Sequence, residues 1–359
     1  MKRVLFVSGF RRANDGSTGG QVVATLQLMS TPVFDGCQLT TIDSTMRSLP
    51  QPPVRVRAVY AAIRFLQFLY HVTVGRCRIL FVFSQFSGAG FLEKGTMCIV
   101  GKMLRMRVTI AFRSDFIFNP RAAWFVRAVC RSCDCIMVQS SELANRIHEF
   151  YGVSHEKIKI VESWIDTDVF RPVEHPDLPK ITLLFLAWYE RVKGVYVVAD
   201  ATWQLHQQGA QVRAVFYGQG SESEGIREHV RSLDPDGNIL QVHGWISAED
   251  KLKVLRQADI MVLPTEHREG FPNVLLEAMA CGLPVVTSPA GGIPAILRDG
   301  VNGLFVPPRD ASALAEAVQW MIDNPDKRRE MGRTNRRQVE AIHDLQKQWP
   351  KVRRIVLGE

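Results

Sequence analysis

The chain has 359 residues, 46% of them apolar and 22% charged, which suits two folded domains and excludes a disordered or collagen-like polymer. Lys and Arg exceed Asp and Glu by eight, and the excess is uneven: residues 1–172 hold 22 basic against 12 acidic residues, whereas residues 173–359 hold 22 against 24. A first half of net +10 suits anionic lipid, nucleic acid or a phosphate-bearing substrate, but no nucleic-acid module accompanies it.

The first strand is expected at Val4–Val7. Its apolar run ends at Arg11-Arg12 without a small-residue cleavage site, so it reads as a core strand rather than a signal peptide. A helix follows from Gly20 to Ser30. Ala58 to Val72 carries Val59, Ala62, Ile63, Leu66, Leu69 and Tyr70 at helical spacing. Strands are expected at Ile79–Phe83, Val108–Phe112 and Cys135–Val138, the last followed by a helix opened at Ser140-Ser141. The longest lipid-like stretch, Ile79 to Leu92, falls short of the roughly 20 residues needed to span a bilayer, so a cytoplasmic location is expected.

Seven scattered cysteines make no disulfide framework. Cys130, Cys133 and Cys135 lie close together but lack a fourth ligand at zinc spacing, and read as small buried thiols.

Three prolines between Pro172 and Pro179 mark a linker. Beyond it, strands are expected at Ile181–Leu186, Val212–Tyr217, Ile239–Val242, Ile260–Leu263 and Pro284–Thr287, separated by helical stretches. This alternation implies an α/β chain of two doubly wound domains, 1–172 and 180–341, with ligands in a crevice at the carboxyl ends of the strands.

Chemistry concentrates in the run from Glu269 to Glu277. With a helix starting near Asn273, the amides of Asn273, Val274 and Leu275 would lie unpaired, ready for a phosphate. Glu277 can then accept hydrogen bonds from sugar hydroxyls. The plain alternative is a capped surface helix whose acids complement its dipole. A dehydrogenase would need Gly-x-Gly-x-x-Gly after the first strand, and Ser8-Gly9-Phe10-Arg11-Arg12-Ala13 does not provide it.

The run Glu269-Gly270-Phe271-Pro272-Asn273-Val274-Leu275-Leu276-Glu277-Ala278-Met279-Ala280-Cys281-Gly282-Leu283-Pro284 resembles the signature of the family 4 retaining glycosyltransferases. Gly291-Gly292-Ile293-Pro294, Asp299-Gly300-Val301-Asn302-Gly303-Leu304 and Asp166 to Pro172 extend the resemblance over most of residues 135–340. It implies the GT-B fold of two facing Rossmann-like domains, a nucleotide-sugar donor and no metal or other cofactor. It also implies that Glu277 binds the ribose, that Glu269 lies beside the transferred sugar, and that Lys193 stabilises the departing diphosphate. Gly19 and Gly20 are expected near the donor phosphates. Gly218 would face the crevice, and Trp245, in His243-Gly244-Trp245-Ile246, would approach the base. Glu269 and Lys193 are thus the expected catalytic pair. The rest of the donor site comprises Gly19, Gly20, Gly218, Trp245, Gly270, Phe271, Pro272, Asn273, Val274, Leu275 and Glu277.

Three departures stand out. Trp188 occupies a place where the family often has an arginine, with Arg191 as a nearby substitute. The stretch beginning Phe112-Arg113-Ser114 lacks the family's histidine, and Ala295 stands where a glutamate is common. They keep a catalytically silent nucleotide-binding protein as the rival.

The resemblance further implies a last helix crossing back to the first domain. Ile342 to Val356 has the spacing for it through Ile342, Leu345, Trp349, Val352 and Val356, with a kink or new start at Pro350. The expected partners are a nucleotide-sugar donor, a glycan or lipid-linked acceptor of cell-envelope polysaccharide type, and an anionic membrane surface; no nucleic acid is expected. The helix from Ala58 to Val72, flanked by Arg55, Arg57, Arg76 and Arg78, either covers a sheet or lies in the lipid headgroups.

Overall fold

The computed structural model describes residues 1–11, 20–45, 52–86, 88–113, 122–173, 180–267 and 272–359. They form two compact units, Met1–Trp164 with Leu345–Glu359, and Ile165–Asp344. The linker segment 174–179 lies outside the described residues.

In the first unit, strands β1 (Lys2–Ser8), β2 (Cys37–Asp43), β3 (Ile79–Ser84), β4 (Arg107–Phe112), β5 (Cys135–Val138) and β6 (Ile158–Ile160) form a parallel sheet in the order 2-1-3-4-5-6. Helices α1 (Gly20–Met29), α2 (Val54–Thr73), α3 (Ala89–Met103), α4 (Ala123–Ser132) and α5 (Ser141–Tyr151) connect the strands. β1 from Val4, β3, and β4 from Val108 are buried at every residue because both faces of the sheet are covered. One cover includes Phe68 and Val72 of α2 with Met97 and Cys98 of α3; the other includes Ala24 and Leu28 of α1. Ser140 caps α5, its Oγ accepting from the Leu143 amide at 3.2 Å. Cys130 and Cys133 are buried, and burial pushes the Cys130 thiol up, away from ionisation. Among the described residues no cluster of His, Cys, Asp and Glu is arranged to hold a metal.

In the second unit, β7 (Ile181–Leu186), β8 (Val212–Tyr217), β9 (Leu240–Val242), β10 (Ile260–Leu263), β11 (Val285–Thr287) and β12 (Gly303–Phe305) are again parallel. Their order is 12-11-10-7-8-9. α6 (Val195–Gln207), α7 (Ser223–Leu233), α8 (Ala248–Gln257), α9 (Asn273–Ala280), α10 (Ala311–Asp323) and α11 (Pro325–Gln338) complete it. The order reverses between β7 and β10, and such a switch point is where doubly wound sheets bind ligands. Residues 165–172, assigned from the sequence to the first domain, pack here instead: Ile165 and Phe170 belong to this core.

The last helix differs from expectation at its start. Ile342 is exposed in a π-turn (Val339–His343) of the second unit, and the chain becomes extended at Asp344. α12 (Leu345–Leu357) then runs through Pro350 and belongs to the first unit, burying Leu345, Val352 and Val356. No described helix is long and apolar enough to cross a membrane.

Candidate functional site

The loops at the switch point of the second sheet carry most of the expected donor residues. β7 leads into Ala187-Trp188-Tyr189 and the turn Arg191–Lys193, which precedes α6. The turn is tied to the end of β10 through Val192. Its carbonyl accepts from the Glu266 amide at 2.9 Å, the His267 amide at 3.3 Å and Thr265 Oγ1 at 3.1 Å. Lys193 is therefore held, largely buried, beside the β10 loop. Gly194 follows with φ +80°, and a Cβ there would come within 2.5 Å of the Pro264 carbonyl oxygen.

Gly218, just beyond β8, permits a closer approach. A Cβ there would fall 2.0 Å from the Ala187 carbonyl oxygen, and its amide donates to Gly244 O at 3.2 Å. The loops after β7, β8 and β9 are thereby drawn together. Tyr189 Oη donates to His243 O at 2.6 Å, Tyr217 stacks on His243, and Trp245 lies 6.1 Å from Trp188 with its ring partly exposed. The two indoles, tilted by 37°, place an aromatic surface at the strand ends.

α9 begins after Pro272, which provides no side-chain cap. One of the three amides expected to be open is not: Leu275 N–H donates to Pro272 O at 3.0 Å, and the Leu275 side chain is in the core. The Val274 amide has no partner among the described residues. One turn on, Glu277 is buried and its Oε1 lies 2.5 Å from Nζ of Lys251 on α8. Sequence reasoning missed Lys251, one of several charged residues on an amphipathic helix; only its ion pair with Glu277 of α9 brings it in. Lys251 also lies over the Phe170 ring at 5.7 Å.

Arg191, the nearby substitute for the family's arginine, is mostly exposed. It pairs with Glu222 at 3.3 Å and lies over Tyr196 at 4.7 Å. Ala295 is exposed on a short 3-10 turn. In the first unit Gly20 opens α1, and Arg113 follows β4 with its guanidinium 4.2 Å from the Trp164 ring centre. Gly19, Glu269, Gly270 and Phe271, with residues 114–116, lie outside the described residues.

Residues 166–338 match the family model described as glycosyl transferases group 1. Over this stretch, a little under half of its length, the chain is similar to the group 1 glycosyl transferases. Among curated relatives, it is 30% identical to a putative colanic acid biosynthesis glycosyltransferase of Escherichia coli, over 51% of this chain and 46% of that one. It is 28% identical to a D-inositol 3-phosphate glycosyltransferase of Pseudarthrobacter chlorophenolicus, over 62% of this chain and 54% of that one. The chain spans about half the length of these curated relatives. Over its whole length it matches the structure of Anabaena HepE in complex with UDP-glucose, with TM-score 0.74, 16% identity and 100% of both chains covered. The fold is GT-B.

Proposed function

We propose that the protein is a retaining, metal-independent glycosyltransferase that moves a sugar from a nucleotide-sugar to a hydroxyl of a glycan or glycolipid, in cell-envelope polysaccharide synthesis. The observation that carries this reading is the placement of Lys193 and the α9 start on the two loops that flank the switch point, with Glu277 buried one turn further on. A nucleoside diphosphate leaves as a polyanion. Lys193 is the fixed cation for it, the N-terminal end of α9 adds its dipole, and Glu277 takes the ribose hydroxyls. Glu269 is assigned to the transferred sugar. The curated relatives are named as glycosyltransferases, which supports the same reaction class.

The acceptor side is assigned to the first unit, working at an anionic membrane surface. Of the helical residues singled out in α2, Val59, Ala62, Ile63, Leu66 and Tyr70 are exposed and only Leu69 packs inward, beside Phe65, Phe68 and Val72. α2 thus has two apolar faces, and the outer one has exposed Arg55 before it and Arg76 and Arg78 after it. That combination suits headgroups and acyl chains together.

A panel of nucleotide-sugars, assayed for transfer and hydrolysis with the wild type and Glu277→Ala, tests the proposal. Turnover lost in the variant supports it. Failure to bind any nucleotide overturns it. Binding without turnover would favour the silent rival, to which Trp188 in place of an arginine lends its support.

A further inference from the structure

The first unit contains its own switch point, between β1 and β3, and a cavity of about 1230 Å³ opens there. The cavity's described lining residues all belong to this unit. Its floor is the strand ends Gly9, Ser44 and Ser84, and its walls are α2 and the start of α3. Among the described residues, the charged side chains lining it are Arg11, Arg57, Arg64 and Lys94 against Asp43 and Glu93.

These charges are not equally committed. Arg64 donates to both oxygens of Glu93, at 2.5 and 2.6 Å, and the pair neutralises itself. Asp43 accepts from the amides of Phe10 and Thr45 and from Thr45 Oγ1, and pairs with Arg11 at 3.4 Å. Lys94 is 8% exposed and makes no hydrogen bond or ion pair among the described residues. A buried ammonium without a partner is costly, and burial pushes it down to about 8, with Glu93 opposing and Arg64 assisting.

One turn before Lys94, α3 starts without a side-chain cap. Gly88 and Gly90 line the cavity, and a Cβ on either would meet nothing within 4 Å, so this stretch of backbone is open to an incoming group. An uncapped helix start beside a buried, unpaired ammonium is an arrangement completed by an anion with several oxygens. Val22 and Val54 line the same cavity and would accompany an alkyl chain.

We propose that this cavity binds the acceptor by a phosphate group, held between Lys94 and the first turn of α3. The inference rests on the glycosyltransferase reading and names the acceptor's chemistry. A lipid phosphate and a water-soluble sugar phosphate share that chemistry.

Calorimetric titration with dodecyl phosphate, below its micelle concentration, tests it on the full chain. The wild type should bind, Lys94→Met should bind at least about tenfold more weakly, and Lys94→Arg should retain most of the affinity. Uridine and guanosine diphosphate titrations serve as the folding control: Lys94→Met should keep the wild-type nucleotide affinity. Glu277→Ala should leave dodecyl phosphate binding unchanged. Equal binding of dodecyl phosphate to wild type and Lys94→Met, or equal binding of dodecyl maltoside and dodecyl phosphate to the wild type, overturns the site. Competition by glycerol 3-phosphate as effective as that by dodecyl phosphate assigns the site to a soluble acceptor; much weaker competition assigns it to a lipid. Loss of all nucleotide binding alongside intact, Lys94-dependent phosphate binding would instead overturn the glycosyltransferase reading.

Discussion

Nζ of Lys251 lies 2.5 Å from Oε1 of Glu277, with the carboxylate side chain 3% exposed and the lysine 22%. The two partners therefore differ in what happens when one is lost. Lys251→Met leaves a buried carboxylate without its cation, at a cost of about 3 kcal/mol. Glu277→Gln leaves an ammonium that can turn to water, at about 1–2 kcal/mol. Urea midpoints should rank Lys251→Met as the less stable protein. Nucleotide affinity should rank them the other way, because Glu277 is the residue assigned to the ribose. The same ranking in both measurements would make Glu277 structural only.

Gly218 is predicted to be irreplaceable by alanine. The added methyl would meet the Ala187 carbonyl oxygen at 2.0 Å, a backbone atom that can move only if the β7 loop moves. Gly218→Ala should lose about 2–4 kcal/mol of stability and most nucleotide binding. Gly237→Ala is the control: φ there is +67° with open space around the Cβ, so only about 1–2 kcal/mol of backbone strain is expected, with binding retained. Thermal melts and nucleotide titrations of both variants would decide it.

The central strands were legible because both faces are buried: Cys135–Val138, Ile181–Leu186, Val212–Tyr217 and Ile260–Leu263 fall where the apolar runs place them. β2, β6 and β12 escaped. They are sheet edges, two of only three residues, and Cys37–Asp43 mixes polar and apolar residues without a clear period. In α2 the period was visible but its direction was not. The chain offers two apolar faces, and the Phe68 face packs inward. Lys94 and Lys251 look like ordinary solvated lysines in sequence, and only the neighbouring helices make one buried and the other paired.

The Lys94 ammonium gives a pH signature of stability. Its pKa, about 8, lies below its ordinary value, so the unfolded chain binds more protons between roughly pH 8 and 10. The destabilisation is fully present below pH 8 and fades as pH rises through that window. Lys94→Met should therefore be more stable than the wild type at pH 7, with the difference shrinking towards pH 10. Glu93, Arg64 and Cys98 act on the same ammonium, so Glu93→Gln should widen the pH 7 difference. A difference constant across pH would contradict a strained, buried ammonium.

α12 should be indispensable to the first unit. It buries Leu345, Val352 and Val356, and Arg353 Nη1 donates to the carbonyls of Pro32, Val33 and Asp35. Arg107 in turn donates to Ile355 O at 3.0 Å and Val356 O at 3.2 Å. Losing three such side chains forfeits about 1.5–3 kcal/mol each, comparable with the whole margin of a domain. Deletion of residues 345–359 should abolish transfer and the cooperative melting of this unit. Arg353→Ala should lower the melting temperature and leave transfer measurable. Wild-type melting of the truncated chain would contradict this account.

The outer face of α2 predicts salt-sensitive membrane binding. Leu66 is 64% exposed and Val59 59%, with Tyr70 and Val74 on the same stripe. Each apolar side chain that enters the headgroup region gains up to about 1.5–3 kcal/mol, and each nearby arginine about 1 kcal/mol on an anionic surface. Sedimentation should show binding to anionic vesicles at low salt, weakened by added salt and weak on neutral vesicles. Val59→Ser with Leu66→Ser should weaken binding at every salt concentration, because it removes insertion. Arg55→Gln with Arg76→Gln should weaken it chiefly at low salt, because it removes a screened attraction. The inward residues Phe68 and Val72 are untouched by either pair, so melting should stay near the wild type. Equal, negligible binding to both kinds of vesicle would leave a soluble acceptor as the substrate.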